Sequence, residues 1–415
     1  MVEGEEGSAL VGDRLGELPR LLTAAEEAAP AETVEVVADD LRQRFGATRV
    51  SFLLVDMSGR AAVRLTTSAG QDERVELPDS TYEQVIRTQQ AHREDTQQGC
   101  RVIAPVTNRG DAIGLLELLL PAGADADTFE DVRQAAHALA YIVLANQRFT
   151  DLYTWGKRPR PLTLAAEIQH RLLPPSLTCE AAQFALCGDL APSESISGDT
   201  FDYTLDRDAL HLSVTDPMGH DLTSALTATV LLGALRGARR SGADLTGQAA
   251  RADRALAEHG AGHATGQLLR VGLASGRARL VNAGHPWPLR LRDGAVEEVA
   301  CAVDRPFGLP LPVPCRYRVQ DLDLRPGDRL VLLTDGMLER HAEKVDLPAL
   351  VARTRDLHPR ETAGTLTDAV QEAAGGRLQD DATVLVLDWH GPQETQRHVA
   401  SGADPEQASP ARPQL

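Results

Sequence analysis

Val331-Leu332-Leu333-Thr334-Asp335-Gly336 sets a short apolar run directly against an aspartate and a glycine. Such a run reads as a buried strand. The Asp-Gly that ends it delivers a carboxylate from the strand's end. Two further phrases repeat the arrangement. His211-Leu-Ser-Val-Thr215 leads into Asp216-Pro-Met-Gly219-His220, and Val384-Leu-Val-Leu387 runs straight out of Asp380-Asp381-Ala-Thr383. A fourth acidic phrase is Ser197-Gly198-Asp199, with Asp202 close behind. Any one Asp-Gly is the ordinary material of a surface turn. Carboxylates next to buried strands can, however, be gathered at one end of a sheet.

Clustered carboxylates repel one another and are costly unless protonated or paired. Hard divalent cations resolve that repulsion, and an all-oxygen set selects Mg²⁺ or Mn²⁺ over zinc. Two such ions about 3.5–4 Å apart lower the pKa of a bridging water and clamp a phosphoryl group for in-line attack. The flanking glycines permit tight turns where phosphate or metal-bound water comes close to backbone.

Outward from these phrases the chain divides twice. Trp155-Gly-Lys-Arg-Pro-Arg-Pro-Leu162 is basic and holds two prolines, which stop any helix arriving from the N-terminal side. Beyond Trp389-His-Gly-Pro392, residues 393–415 are rich in Gln, Ala, Pro and Ser with few apolar residues. Such a tail is expected to be disordered. The division is therefore a disordered N-terminus (1–17), an α+β block (18–152), a linker (153–162), a second α+β block (163–389) and a disordered tail (390–415).

In the first block, 18–45 is helical in period, with Leu22, Ala25, Val34, Val37, Leu41 and Phe45 loosely on one face. Strands are expected at 50–55, 61–65, 102–106 and 113–120, and helices at 80–86, opened by a Ser80/Glu83 capping box, and at 128–152. The second block opens with a helix over 164–173, ended by Pro174-Pro175, whose Leu164, Ile168 and Leu172 fall on one face. Two more helices are expected near 222–239 and 245–259.

The whole chain has 415 residues, 42% hydrophobic and 25% charged, a globular balance. Lys and Arg number 42 against 60 Asp and Glu, a net charge of −18. That balance argues against nucleic acid or an anionic membrane as partner. The longest apolar run, Leu115 to Leu120, is far below the ~20 residues of a spanning helix. The acidic start, Met1-Val-Glu-Gly-Glu-Glu6, is unlike a signal peptide. Five cysteines without a CxxC pair read as reduced thiols, so a cytoplasmic location is expected.

The first block resembles a GAF domain in its order of helix, paired strands, helix-bearing middle and final strands ending in Ile113-Gly-Leu-Leu-Glu-Leu118. The resemblance implies a sensory module built on an antiparallel sheet with helices, able to hold a small ligand and to form a homodimer through its terminal helices. No residue of the block stands out as a ligand contact.

The second block, over about 163–388, resembles the SpoIIE/RsbU-like branch of the metal-dependent protein phosphatases, relatives of protein phosphatase 2C. The phrases that carry it, in order, are Glu167-Ile-Gln-His-Arg-Leu-Leu-Pro-Pro175, Ser197-Gly-Asp-Thr-Phe-Asp202, Asp216-Pro-Met-Gly-His220, Val281-Asn-Ala-Gly-His-Pro286, Phe307-Gly-Leu309, Pro326-Gly-Asp328, Leu333-Thr-Asp-Gly336 and Asp380-Asp-Ala-Thr383. The resemblance implies an α-β-β-α sandwich with two Mn²⁺ or Mg²⁺ ions at one end. Asp199, Asp216, Asp335 and Asp380 would be the metal-binding acids, Asp216 bridging the ions, with the backbone carbonyl of Pro217 a further ligand. Gly198, Asp202, Gly219, His220 and Asp381 would surround and orient them, and Asn282-Ala-Gly-His285 would be scaffold. It further implies hydrolysis of phosphoserine or phosphothreonine, the substrate being a phosphorylated STAS-type anti-sigma factor antagonist. Ser197 stands where the family usually has glycine, Pro217 stiffens the next loop, and 264–270 departs from the family's usual strand. Those departures motivate the alternative of a non-catalytic, GAF-gated binding module; the four retained acids favour an enzyme.

Overall fold

The helix expected over 18–45 is broken in the computed structural model, which describes residues 19–65, 73–122, 125–157, 162–193, 198–260, 262–310, 316–338, 340–392 and 397–411. Its parts are α1 (19–27) and α2 (Thr33–Phe45), with Pro30 between them. Proline lacks the N–H a continuing helix needs and biases its predecessor away from helical angles. The expected disordered stretch 1–17 lies outside the described residues.

The chain forms two units, 1–161 together with 398–415, and 162–397. In the first, β1 (Arg49–Val55), β2 (Ala61–Arg64), β3 (Glu73–Glu76), β4 (His92–Thr96), β5 (Gly99–Asn108) and β6 (Asp111–Leu120) make one antiparallel sheet in the order β3-β2-β1-β6-β5-β4. β3 and β4 were not among the expected strands. Both are edge strands with no fully buried residue, so neither leaves an apolar alternation in the sequence. Between them α3 (Thr81–Thr88) begins as expected, Ser80 Oγ accepting from Glu83 N at 3.2 Å and Glu83 reaching back to Asp79 N. α2 and α4 (Ala126–Asn146) contribute Val37, Leu41, Val132, Leu139 and Val143 to the main core against the sheet. A smaller core includes Leu53, Leu77, Val85, Ile103 and Leu115. Nearby, the buried Glu117 carboxylate is paired with Arg64 and Arg101 and accepts from the Tyr82 hydroxyl.

Two boundaries of this unit differ from expectation. α4 ends at Asn146, and a separate short helix α5 (Leu152–Gly156) follows. Tyr153 of α5 is buried in the main core and Lys157 O accepts from Met57 N, so 153–157 is part of the unit rather than linker. Residues 158–161 of the expected linker are outside the described set. The tail also departs from the expected disorder: Ala403, Asp404 and Ser409 are buried, and Gly402 O accepts from Gly110 N at 3.1 Å. Its ordering comes from backbone fit, which composition does not register. Ala400 N and Ala403 O close a tight turn through Ser401 and Gly402, both at positive φ (55° and 97°). A Cβ on Gly402 would lie 2.0 Å from Thr107 O.

The second unit is two antiparallel sheets between helices. β9 (Thr200–Leu205), β10 (Ala209–Pro217), β11 (Ala264–Gly272), β12 (Ala278–Ala283) and β15 (Gln320–Leu322) form one, in the order β15-β12-β11-β10-β9. The other runs β14-β13-β16-β17-β8-β7, built from β7 (Thr178–Glu180), β8 (Phe184–Ala191), β13 (Leu289–Arg292), β14 (Ala295–Glu298), β16 (Asp328–Leu333) and β17 (Ala382–Trp389). Strand alternation explains the layering. Leu385 and Leu387 of β17 join Leu210, Leu212 and Val214 of β10 between the sheets. Val384 and Val386 face the other way, to Val351 of α9 (Leu347–Arg353) and Leu366 of α10 (Pro359–Ala373). α7 (Asp221–Arg240) and α8 (Leu245–His259) cover the first sheet through Leu231, Leu235 and Leu256.

α6 (Leu164–Leu172) forms as expected but buries a different face. Leu164 is 64% exposed, while Ala165, Ala166 and Gln169 are buried. The two alanines meet Ala225 of α7, small residues that let the helices approach closely and carry Gln169 into the interior.

Candidate active site

Six chain segments end together. Antiparallel pairing puts the C-terminal ends of β10, β12 and β16 beside the N-terminal ends of β9, β11 and β17. Asp199 immediately precedes β9, Asp216 is the penultimate residue of β10, and Pro217 closes that strand opposite Ala264. Asp335 opens a 3-10 turn (Asp335–Met337) two residues after β16, and Asp380-Asp381 leads into β17. The two sheets thus deliver every expected acid to strand ends, because in each phrase the apolar run supplies the strand and the acid follows or precedes it.

Asp199 is 1% exposed, and its Oδ2 accepts from Thr334 Oγ1 at 2.7 Å and Thr383 Oγ1 at 2.8 Å. Thr334 and Thr383 belong to opposite partners of the β16–β17 pair, so one carboxylate oxygen spans both acid-bearing turns. Asp381 is fully buried: Oδ1 accepts from Ser193 N and Oγ, and Oδ2 from Gln169 Nε2 at 2.6 Å and Gly198 N at 3.2 Å. Gln169 Nε2 also donates to Asp199 O at 2.9 Å. Gly336 lies so close to this turn that a Cβ there would stand 2.0 Å from Asp381 O. Glycine is the one residue that lets the two acidic turns touch.

Electrostatically the set is strained. Burial first, then the charges of Asp335 and Asp380, push the Asp216 carboxyl up to about 8. Burial, then Asp216 and Asp381, raise Asp199 well above the ordinary carboxylate range, against the pull of its two threonine hydroxyls. Among the described residues no three His, Cys, Asp or Glu side chains converge tightly enough to hold one ion. The donors are all oxygen, and the cost of ionising Asp216 and Asp199 side by side is what a hard divalent cation would offset. By donor chemistry alone, all-oxygen carboxylates such as Asp199, Asp216, Asp335 and Asp380 suit a hard divalent cation rather than zinc.

Two expected neighbours do other work. Asp202 is buried, and its carboxylate accepts from Arg236 at 2.9 Å and Arg239 at 3.0 Å. Arg236 also donates to Leu172 O at the end of α6. Asp202 therefore fastens α7 and α6 to β9 rather than orienting an acid; strand alternation separates it from Asp199. His220 precedes α7 in the open, its ring paired with the exposed Asp221 at 2.9 Å. Gly219 forms an unobstructed turn at φ 110°, and Ser197 lies outside the described residues.

Other contacts went unassigned in the sequence. Gln169, Ser193, Thr334 and Thr383 hold Asp199 or Asp381. Thr265, second residue of β11, stands directly across from Asp216 and donates to its Oδ2 at 3.4 Å. Thr334 and Thr383 adjoin acids within quoted phrases, a signal available in sequence; Ser193 and Thr265 carry none. His285, after β12, is 3% exposed, and its Nδ1 is 2.7 Å from Thr265 Oγ1. Burial pulls its pKa down to about 3, so the ring is neutral near pH 7.

Residues 206–390 match the family model described as Stage II sporulation protein E (SpoIIE). No curated protein matches the chain. Among solved structures, the RsbU and RsbW domains of Rv1364c from Mycobacterium tuberculosis are 23% identical, covering 52% of this chain and 63% of that one, with a TM-score of 0.46. This chain therefore spans less than two thirds of that protein. The PP2C phosphatase domain of SpoIIE from Bacillus subtilis with a fragment of its regulatory domain is 15% identical, covering 94% and 99%, with a TM-score of 0.44. The PPM Ser-Thr phosphatase MsPP from Mycobacterium smegmatis is 19% identical, covering 51% and 100%, with a TM-score of 0.38.

Proposed function

We propose, with residues 206–390 a SpoIIE-type phosphatase domain, that this chain is a metal-dependent protein-serine/threonine phosphatase. The observation that carries the reading is the gathering of Asp199, Asp216, Asp335 and Asp380 at the ends of paired strands, where burial and the charges of Asp335 and Asp380 push the part-buried Asp216 carboxyl up to about 8. A carboxyl so placed is poorly suited to a purely structural role, since an apolar residue would fill the strand end at lower cost. Divalent cations at this site would supply an activated water and charge neutralisation for a phosphoryl group. The chain's own part is to hold the acids in place. Thr334 and Thr383 fix Asp199, Asp381 gathers Gln169, Ser193 and Gly198 behind it, and Gly336 lets the two acidic turns meet.

The substrate class we infer is a phosphorylated STAS-type antagonist of an anti-sigma factor, the phosphoprotein that the SpoIIE/RsbU resemblance implies. The first unit would be a GAF-like sensory input, able to take a small ligand and to pair with a second copy. Exposed Tyr141, Phe149 and Trp155, at and beyond the end of α4, support pairing there. No described helix is long and apolar enough to cross a membrane, in keeping with a cytoplasmic regulator.

The test is hydrolysis of p-nitrophenyl phosphate with and without Mn²⁺ by the full chain, Asp216→Asn and Asp335→Asn. Turnover that requires Mn²⁺ and disappears in both folded variants supports the reading. Mn²⁺-independent turnover, or turnover retained by both variants, overturns it.

A further inference from the structure

Three side chains stand abreast where β10, β11 and β12 end. Asp216 is the cross-strand partner of Thr265, Gly266 next to it pairs with Ala283, and His285 follows two residues later. Thr265 Oγ1 is 2.7 Å from His285 Nδ1 and 3.4 Å from Asp216 Oδ2. His285 is itself clamped. Asn282 Oδ1 accepts from His285 N at 2.8 Å while Asn282 Nδ2 donates to His285 O at 2.9 Å, and Asn282 is fully buried.

We propose that His285 is a positioning residue for Asp216, acting through the Thr265 hydroxyl, with Asn282 holding the imidazole in place for that task. The proposal rests on the phosphatase reading above and gives a role there to a phrase otherwise counted as scaffold. A buried slot that only needed filling would take an apolar side chain, without the cost of burying an imidazole and an amide. Here the Asn282 amide is spent on the His285 backbone, and the one imidazole nitrogen with a side-chain partner, Nδ1, faces Thr265 and through it Asp216. A hydroxyl has one proton and two lone pairs, so Thr265 links two partners at once. With the ring proton on Nδ1, the chain runs from Nδ1–H to Oγ1 and from Oγ1–H to Oδ2. That arrangement alone lets the single threonine proton reach Oδ2, so the proposal requires the ring proton on Nδ1, where His285 fixes Oγ1 and Oγ1 holds the carboxylate. An acid that has to serve cations needs a fixed direction, and groups that orient such ligands change affinity by about 10–100-fold when lost.

The experiment is Mn²⁺ titration calorimetry on the full chain and on Thr265→Val, Thr265→Ser, His285→Gln and the Thr265→Val/His285→Gln double variant, each also melted in EDTA. Thr265→Val is nearly isosteric and leaves the histidine pocket filled, so it separates loss of the link from loss of the fold. The expected result is Mn²⁺ affinity weakened about tenfold or more by Thr265→Val and by His285→Gln, retained by Thr265→Ser, and weakened no further in the double variant. The metal-free melt of Thr265→Val stays cooperative, its midpoint lowered no further than that of His285→Gln, because both leave one partner of the same buried bond unpaired. Wild-type affinity in Thr265→Val overturns the proposal, as does a His285→Gln loss that is equal with and without Thr265. A wild-type chain that binds no Mn²⁺ instead fails the phosphatase reading, and this inference with it.

Discussion

Gln169 and Asp381 lie 212 residues apart in sequence and 2.6 Å apart in space, Nε2 of the one donating to Oδ2 of the other. The same nitrogen donates to Asp199 O, so α6 is tied at a single point to the segments bearing two of the acids. Asp381 is fully buried, and truncating Gln169 removes one of the donors that compensate its desolvation.

Gln169→Ala is therefore expected to destabilise the second unit by about 1–3 kcal/mol and to lower Mn²⁺-dependent turnover about tenfold or more at saturating metal. Calorimetric melting alongside p-nitrophenyl phosphate kinetics checks both. Unchanged turnover would show that the tie serves folding alone.

Asp216 gives a pH dependence whose sign follows from its environment. Its folded pKa, about 8, lies above the unfolded value of 3.8, so the folded chain holds a proton the unfolded chain has lost. Between about pH 4 and pH 8 the metal-free protein is expected to lose stability as pH rises, by at most about 1.4 kcal/mol per pH unit from this group. Asp199 is shifted the same way and adds to the slope. Denaturant titrations in EDTA at several pH values measure it; Asp216→Asn should flatten the dependence, and Mn²⁺ should reverse it by favouring the ionised form.

Asp202, with Arg236 and Arg239, distinguishes anchoring from metal binding. Asp202→Asn leaves two guanidinium groups without their carboxylate and is expected to cost about 3–5 kcal/mol. Mn²⁺ affinity of the folded fraction should stay within about twofold of wild type, against the 10–100-fold loss of a group that orients a ligand. Melting curves paired with Mn²⁺ calorimetry decide between them.

Gly402 packs against Thr107 O with no room for a side chain. Gly402→Val is expected to lift residues 398–411 from the first unit and to speed amide exchange at Gly110, whose N–H is bonded to Gly402 O. Hydrogen exchange read at Gly110 tests this directly. Protection equal to wild type would mean that the tail stays in place without that fit.

The sequence by itself located the acid-bearing strands and where the four acids sit relative to them, but not the exposed edge strands β3 and β4. An apolar run beside an Asp has a local meaning: the run must be buried, so the acid emerges at its end. The same locality found the capping box at Ser80 and α8 to the residue. What only the tertiary structure decided depends on partners distant in the chain. Leu164, Ile168 and Leu172 pointed to one buried face of α6, yet close packing of Ala165 and Ala166 on Ala225 rotated that face, leaving Leu164 exposed and Ile168 part-buried and bringing Gln169 inward. Asp202 was expected to orient the metal-binding acids, but Arg236 and Arg239, more than thirty residues on, hold it. Thr265 became a partner of Asp216 through strand register, 49 residues away. The tail, polar in composition, was ordered by backbone fit at Gly402. Burial of a run is written in its own residues; the identity of whatever meets it is not, because it depends on how separate elements are brought together.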